Sequence, residues 1–151
     1  MAPFDVPQHV VAAGELRKAY INLGELLAAP VTGVIAPELL RGRDILWFID
    51  NKSALSQLIR RTSSAADASQ LAAVHSLTMA ALGTRVWYEW VPSKTNPADV
   101  LSREAWDSPE VQLKLASGEW VRLSGVVPWP RLLTVDYTSI WEMFAALGID
   151  A

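Results

Sequence analysis

The stretch Ile45-Leu46-Trp47-Phe48-Ile49-Asp50 sets five large apolar residues in a row and ends them on an acid. A short apolar run bounded by turn residues is the pattern of a strand buried on both faces, as at the centre of a parallel sheet. Arg41-Gly42-Arg43-Asp44 in front of it reads as a turn. Asn51 behind it reads as the cap of a helix over Ser53 to Arg61. Working outward towards the C-terminus, Thr62 to Ser69 is a polar loop and Ser69 to Leu82 a helix. Leu71, Val74, Leu77 and Leu82 are expected near one face of that helix, and Gly83 is expected to end it. A second strand follows over Arg85 to Val91, parallel to the first. Asn96-Pro97 then opens another helix, with the asparagine as cap and the proline at the first helical position.

Towards the N-terminus, Asn22-Leu23-Gly24-Glu25 has the form of a helix start, in which Glu25 reaches back to a capping Asn22. Pro30 is expected to kink or end the helix that follows. Gln8 to Lys18 reads as a short helix in a lead-in segment, residues 1–19. Beyond Trp106 the pattern weakens, and residues 118–138 read as extended or irregular. Ile140, Met143, Phe144 and Leu147 are spaced for one face of a terminal helix. The expected organisation is therefore a lead-in, an α/β unit over residues 20–105, and a tryptophan-containing extension over residues 106–151. Alternation of strands and helices implies an α/β layer with parallel strands.

Bulk composition narrows the function classes. Hydrophobic residues make up 51% of the 151-residue chain and charged residues 19%, enough apolar material for a core. The net charge of −3 gives no global attraction to nucleic acid, so such a role needs a local basic face or bound cations. The absence of cysteine excludes disulfides and thiolate metal sites. Met1 to Gln8 lacks the basic start and apolar core of a signal peptide. The longest apolar stretch, Leu26 to Pro37, is broken by prolines and too short to span a bilayer. No membrane role and an intracellular location are expected.

Three carboxylates stand at positions suited to chemistry. Asp50 follows the apolar strand, and open α/β sheets place their sites outside such strand ends. Glu25 lies in the first turn of its expected helix and Asp99 in the first turn of the helix opened by Asn96. Each has a plainer reading. Glu25 can complete a capping box, Asp99 can face a helix dipole, and only Asp50 meets an environment that demands a partner. Clustered carboxylates without histidine or cysteine select hard cations such as Mg²⁺, and two such ions can drive phosphodiester hydrolysis.

Phe48-Ile49-Asp50-Asn51, with Ala54-Leu55 after it, resembles the second-aspartate strand of retroelement ribonuclease H domains. Glu25-Leu26-Leu27-Ala28-Ala29 resembles their first-helix glutamate motif. Trp90 to Asp99, with Leu101-Ser102-Arg103 after it, resembles their closing motif. The resemblance covers about residues 20–103 and is nearest in style to the reverse-transcriptase-linked domains of Ty3-like and DIRS-like elements. It implies a ribonuclease H-like fold and two Mg²⁺ ions held by Glu25, Asp50 and Asp99. It implies hydrolysis of RNA in RNA–DNA hybrids, with a reverse transcriptase domain upstream in a polyprotein. Asn51, Lys52, Lys94, Asn96 and Arg103 are the residues expected to meet the nucleic acid.

The chain departs from that pattern. Only 24 residues precede Glu25, with no three-strand meander and a single aspartate, Asp5, between Phe4 and Val6. A partial sheet without the N-terminal antiparallel strands is expected, and with it an impaired nuclease. It also implies an exposed edge on the Asp50 strand, open to self-association. A noncatalytic remnant or interaction module of such a polyprotein, and a DNA-directed nuclease of the integrase superfamily, are the alternatives. His9 and His75 match no catalytic position and read as structural. Trp47, Trp87 and Trp90 read as core or sheet-face packing, and Trp120, Trp129 and Trp141 as fastenings of the tail. Arg41, Arg43, Arg60, Arg61, Arg85, Lys94 and Arg103 are candidates for a phosphate-binding rim.

Overall fold

The computed structural model describes residues 20–98 and 107–122, together with Gln8, Glu142 and Ala145, all three helical and exposed. The elements in chain order are α1 (Tyr20–Ile35), α2 (Pro37–Leu40), β1 (Asp44–Ile49), α3 (Lys52–Arg60), α4 (Ala66–Ala81), β2 (Arg85–Trp90), a 3₁₀ turn (Ser93–Thr95) and α5 (Pro109–Ala116). Asp5, the rest of the expected helix from Gln8 to Lys18, residues 123–138 and the rest of the expected terminal helix lie outside the described residues.

The chain is mixed α/β, and β1 and β2 pair in parallel with Asp44 opposite Arg85 and Ile49 opposite Trp90. Among the described residues these two strands make up the sheet. Both strands leave turns that contain a glycine at positive φ, +67° at Gly42 and +64° at Gly83, a conformation in which a Cβ is strained. The two turns are tied together. Gly42 N donates to the Leu82 carbonyl at 2.9 Å, and the buried Thr84 hydroxyl donates to the Leu40 carbonyl at 2.8 Å. These bonds bring both strands in at the same level and so fix their register.

Helices α1, α3 and α4 gather on one face of the sheet. Leu26, Val31 and Val34 of α1 meet Leu71, Val74 and Met79 of α4 and Leu58 of α3 in one core, against which Ile45, Trp47, Val86 and Tyr88 pack. His75 lies inside this core, 1% exposed, as the structural reading of it requires. Its Nε2 is 2.7 Å from the Tyr88 hydroxyl, and the Trp47 ring meets it edge-on with centroids 5.1 Å apart.

Four expectations are corrected. First, β1 is not buried on both faces: Ile49 is buried, but Leu46 is 57% and Phe48 50% exposed. Helices cover the face of Ile45, Trp47 and Ile49, and among the described residues nothing covers the other. Trp87, 69% exposed and level with Leu46, is on that open face rather than in sheet packing. Second, the chain is already helical at Tyr20, so Asn22 lies within α1 and does not cap it. Third, Pro30 does not end α1, which runs on to Ile35. The proline removes one backbone bond and costs about 3 kcal/mol in an isolated helix. Here Leu26, Pro30 and Val31 are all fully buried, and that packing carries the helix past the break. Fourth, α4 begins at Ala66, three residues early, and Leu77 is 39% exposed. Six residues from Leu71, it falls well off the buried stripe.

α5 was not expected from the sequence. Ser108 caps it by accepting from Val111 N, Pro109 stands at its first position, and Val111 is buried beneath it. Lys114 closes the far end, with an ion pair to Glu119 at 2.7 Å and its ammonium 5.1 Å from the Trp120 ring centre.

Candidate functional site

The C-terminal end of β1 collects side chains from four elements. Asp50 follows the last strand residue and is half-buried. The next residue, Asn51, caps α3: its Oδ1 accepts from Ser53 N at 3.0 Å and Ala54 N at 3.1 Å. An asparagine cap fixes the turn between strand and helix, and with it the direction in which Asp50 leaves the strand.

The Asn51 Nδ2 donates to Asn22 Oδ1 of α1 at 2.8 Å. That bond braces the start of α1 against the end of β1 and brings Glu25 to the same place. The Glu25 carboxyl is held above its ordinary value, first by partial desolvation and then by the negative charge of Asp50. Asp50 is thus close enough to Glu25 to oppose the ionisation of Glu25.

From β2, the Trp90 indole N–H donates to the Asp50 carbonyl at 3.2 Å, and the Lys52 ammonium lies 4.5 Å from the centre of the Trp90 ring. Trp90 is 40% exposed. It serves as a clamp between the two strand ends rather than as core. Lys94 is exposed on the 3₁₀ turn after β2. Asn96 accepts from Ala98 N at 3.1 Å, and Pro97 and Ala98 are helical, as expected for a helix opening there. Asp99 and Arg103 lie outside the described residues.

The structure therefore brings Glu25, Asp50, Asn51 and Lys52 to one end of the sheet. Among the described residues, no three acidic, histidine or cysteine side chains gather closely enough to hold a metal ion. Of the arginines expected on a phosphate rim, Arg85 is engaged by Asp44, with bonds of 2.6 and 2.8 Å, and Arg41 is paired with Glu38 at 3.5 Å. Sequence reasoning missed Asn22 as a brace and Trp90 as a clamp. The Asn22–Asn51 bond spans 29 positions and leaves no local signal, whereas the closeness of Trp90 to Asp50 follows from the parallel register once it is known. No helix among the described residues is long and apolar enough to cross a membrane. No protein-family model, curated protein or solved structure matches the chain.

Proposed function

We propose that the end of β1 is a metal-dependent phosphodiester hydrolase site of ribonuclease H type, acting on the RNA of RNA–DNA hybrids and impaired in this chain. The observation that supports it is the Glu25–Asp50 opposition. Glu25 of α1 lies near enough to Asp50, at the C-terminal end of a parallel strand, for the Asp50 charge to add to desolvation in holding the Glu25 carboxyl above its ordinary range. The donors are all oxygens, which fits hard divalent cations such as Mg²⁺. Glu25 and Asp50 would hold the metal, joined by Asp99 from the helix opened by Asn96. When bound, a pair of such ions supplies an activated water and stabilises the leaving oxygen.

The chain's own residues do the positioning. Asn51 sets the exit of Asp50, Asn22 holds α1 and hence Glu25 beside it, and Lys52 and Lys94 offer charge to a nucleic-acid backbone. The impairment rests on the donor count: Glu25, Asp50 and Asp99 are three acids for two ions, and ligands shared between two metals are not redundant.

The test couples binding to chemistry. Adding Mg²⁺ should lower the pH at which Glu25 ionises, because a cation reverses the effect of Asp50. Mn²⁺ should broaden the NMR signals of Glu25 and Asp50 first. Slow hydrolysis of a labelled hybrid should disappear in Asp50→Asn. If neither cation moves the Glu25 titration and the hybrid stays intact, the reading is wrong.

One observation favours a second reading, a noncatalytic interaction module: the exposure of Leu46, Phe48 and Trp87 together on one sheet face.

A further inference from the structure

We infer that the free edge of β1 pairs antiparallel with β1 of a second copy of this chain, about a two-fold axis at Trp47.

The backbone directions come from the ladder. Arg85 N donates to the Arg43 carbonyl and Val91 N to the Ile49 carbonyl. In a parallel pair such bonds alternate along each strand. Ile45, Trp47 and Ile49 therefore turn their backbone groups towards β2, and Leu46 and Phe48 turn theirs away. Among the described residues no strand lies on that side. The edge carries no proline, no bulge and no lysine, the usual devices against pairing.

The edge is complementary to itself. With the axis at Trp47, Leu46 stands opposite Phe48 of the second copy, and the reverse pair repeats it. These are the residues with outward amides and carbonyls, so both pairs exchange N–H···O=C bonds. Their side chains also share the open face. Each Leu46 is flanked by its own Trp87 on one side and gains Phe48 of the other copy on the other. Three half-exposed apolar side chains per copy then close into one strip across four strands. Leucine–phenylalanine neighbours of this kind stabilise antiparallel pairs.

The register sets one like-charge contact, Asp50 opposite Asp44 of the second copy. The Arg85 guanidinium, bonded to both Asp44 oxygens from the β2 side, offsets part of that repulsion. A closed two-fold contact also leaves β1 no further edge to recruit more copies.

The experiment is sedimentation equilibrium of the full chain across the micromolar range, with amide exchange read at low and high concentration. The wild type should pass from monomer to dimer. Exchange at Leu46 and Phe48 should slow in the dimer, while Ile45 and Trp47, bonded to β2 in both states, should not change. Phe48→Lys should weaken association by about tenfold or more, and Leu46→Lys should do the same. Both side chains lie outside the core, and circular dichroism checks the fold of each variant. A wild type that stays monomeric throughout would overturn the inference. So would slow Leu46 and Phe48 amides in the monomer, which would mean that another segment of the chain holds the edge. A dimer in which those two amides still exchange freely, or which both lysine variants leave intact, would refute it as well.

Discussion

His75 is a titratable side chain buried in the core. Burial pulls its pKa down from 6.5 to about 4, with the Ala29 backbone opposing weakly. Its partner Tyr88 is pushed up to about 12 by burial, with the Arg61 charge acting the other way. Each group is therefore held neutral near neutral pH. For His75 the unfolded chain binds the proton more readily, so the folded state loses stability as pH falls below about 6.5 and the loss levels off near 4. A drop from 6.5 to about 4, at about 1.4 kcal/mol per pH unit, gives about 3 kcal/mol. Urea unfolding across this range, wild type against His75→Gln, should show that slope in the wild type and a flatter profile in the variant. Equal slopes would mean that other groups carry the acid sensitivity. At this scale the sequence is only partly legible. Asn51 as a cap is local and readable. The tie from Asn51 to Asn22, and the Tyr88 hydroxyl on His75, depend on which elements lie side by side.

Elements were readable where one local cue sufficed. β1 announces itself as an apolar run and β2 as a stretch rich in aromatic residues, each led in by a turn with a glycine. Ser108-Pro109 is an equally good local cue for α5, but the residues around it lack periodicity. Pro30 misled for the opposite reason, since its local cost is real but the packing of α1 outweighs it. That packing is tight at one point. A Cβ built on Gly33 would lie 2.9 Å from Thr78 Cγ2 and 3.1 Å from Met79 Cε on α4. Gly33→Ala should therefore destabilise by about 1–3 kcal/mol through overpacking. Gly24, on the same helix, has nothing within 4 Å of its built Cβ. Gly24→Ala should stabilise by about 0.5–1 kcal/mol by reducing the freedom of the unfolded chain. Opposite signs in the urea midpoints of the two variants are expected. Two shifts of the same sign would contradict the close approach of α1 to α4.

For the whole molecule, the coarse α/β layout and the parallel pairing were legible from the order of elements. Which sheet face the helices cover was not, because Leu46 and Phe48 are as apolar as Ile45 and Ile49. The convergence of Glu25 and Asp50 followed from motif order, while the place of Asp99 lies outside the described residues. The crossover between the strands has a further consequence. β1 and β2 are neighbours in space, yet they are joined through α3, a short loop in which Ser64 is exposed, and α4. One cut at Ser64 divides the molecule into α1–β1–α3 and α4–β2. Neither piece keeps a paired strand, and Leu26 and Val31 are parted from Leu71 and Val74. The pieces need each other, so a nicked protein should elute as one particle, come apart in urea and reassemble on dilution. Its melting temperature should then rise with concentration, as it does for any two-component complex. Separate elution of the two fragments without denaturant would count against this. The loop near Ser64 is thus the natural place to divide the protein into two chains whose meeting restores the fold.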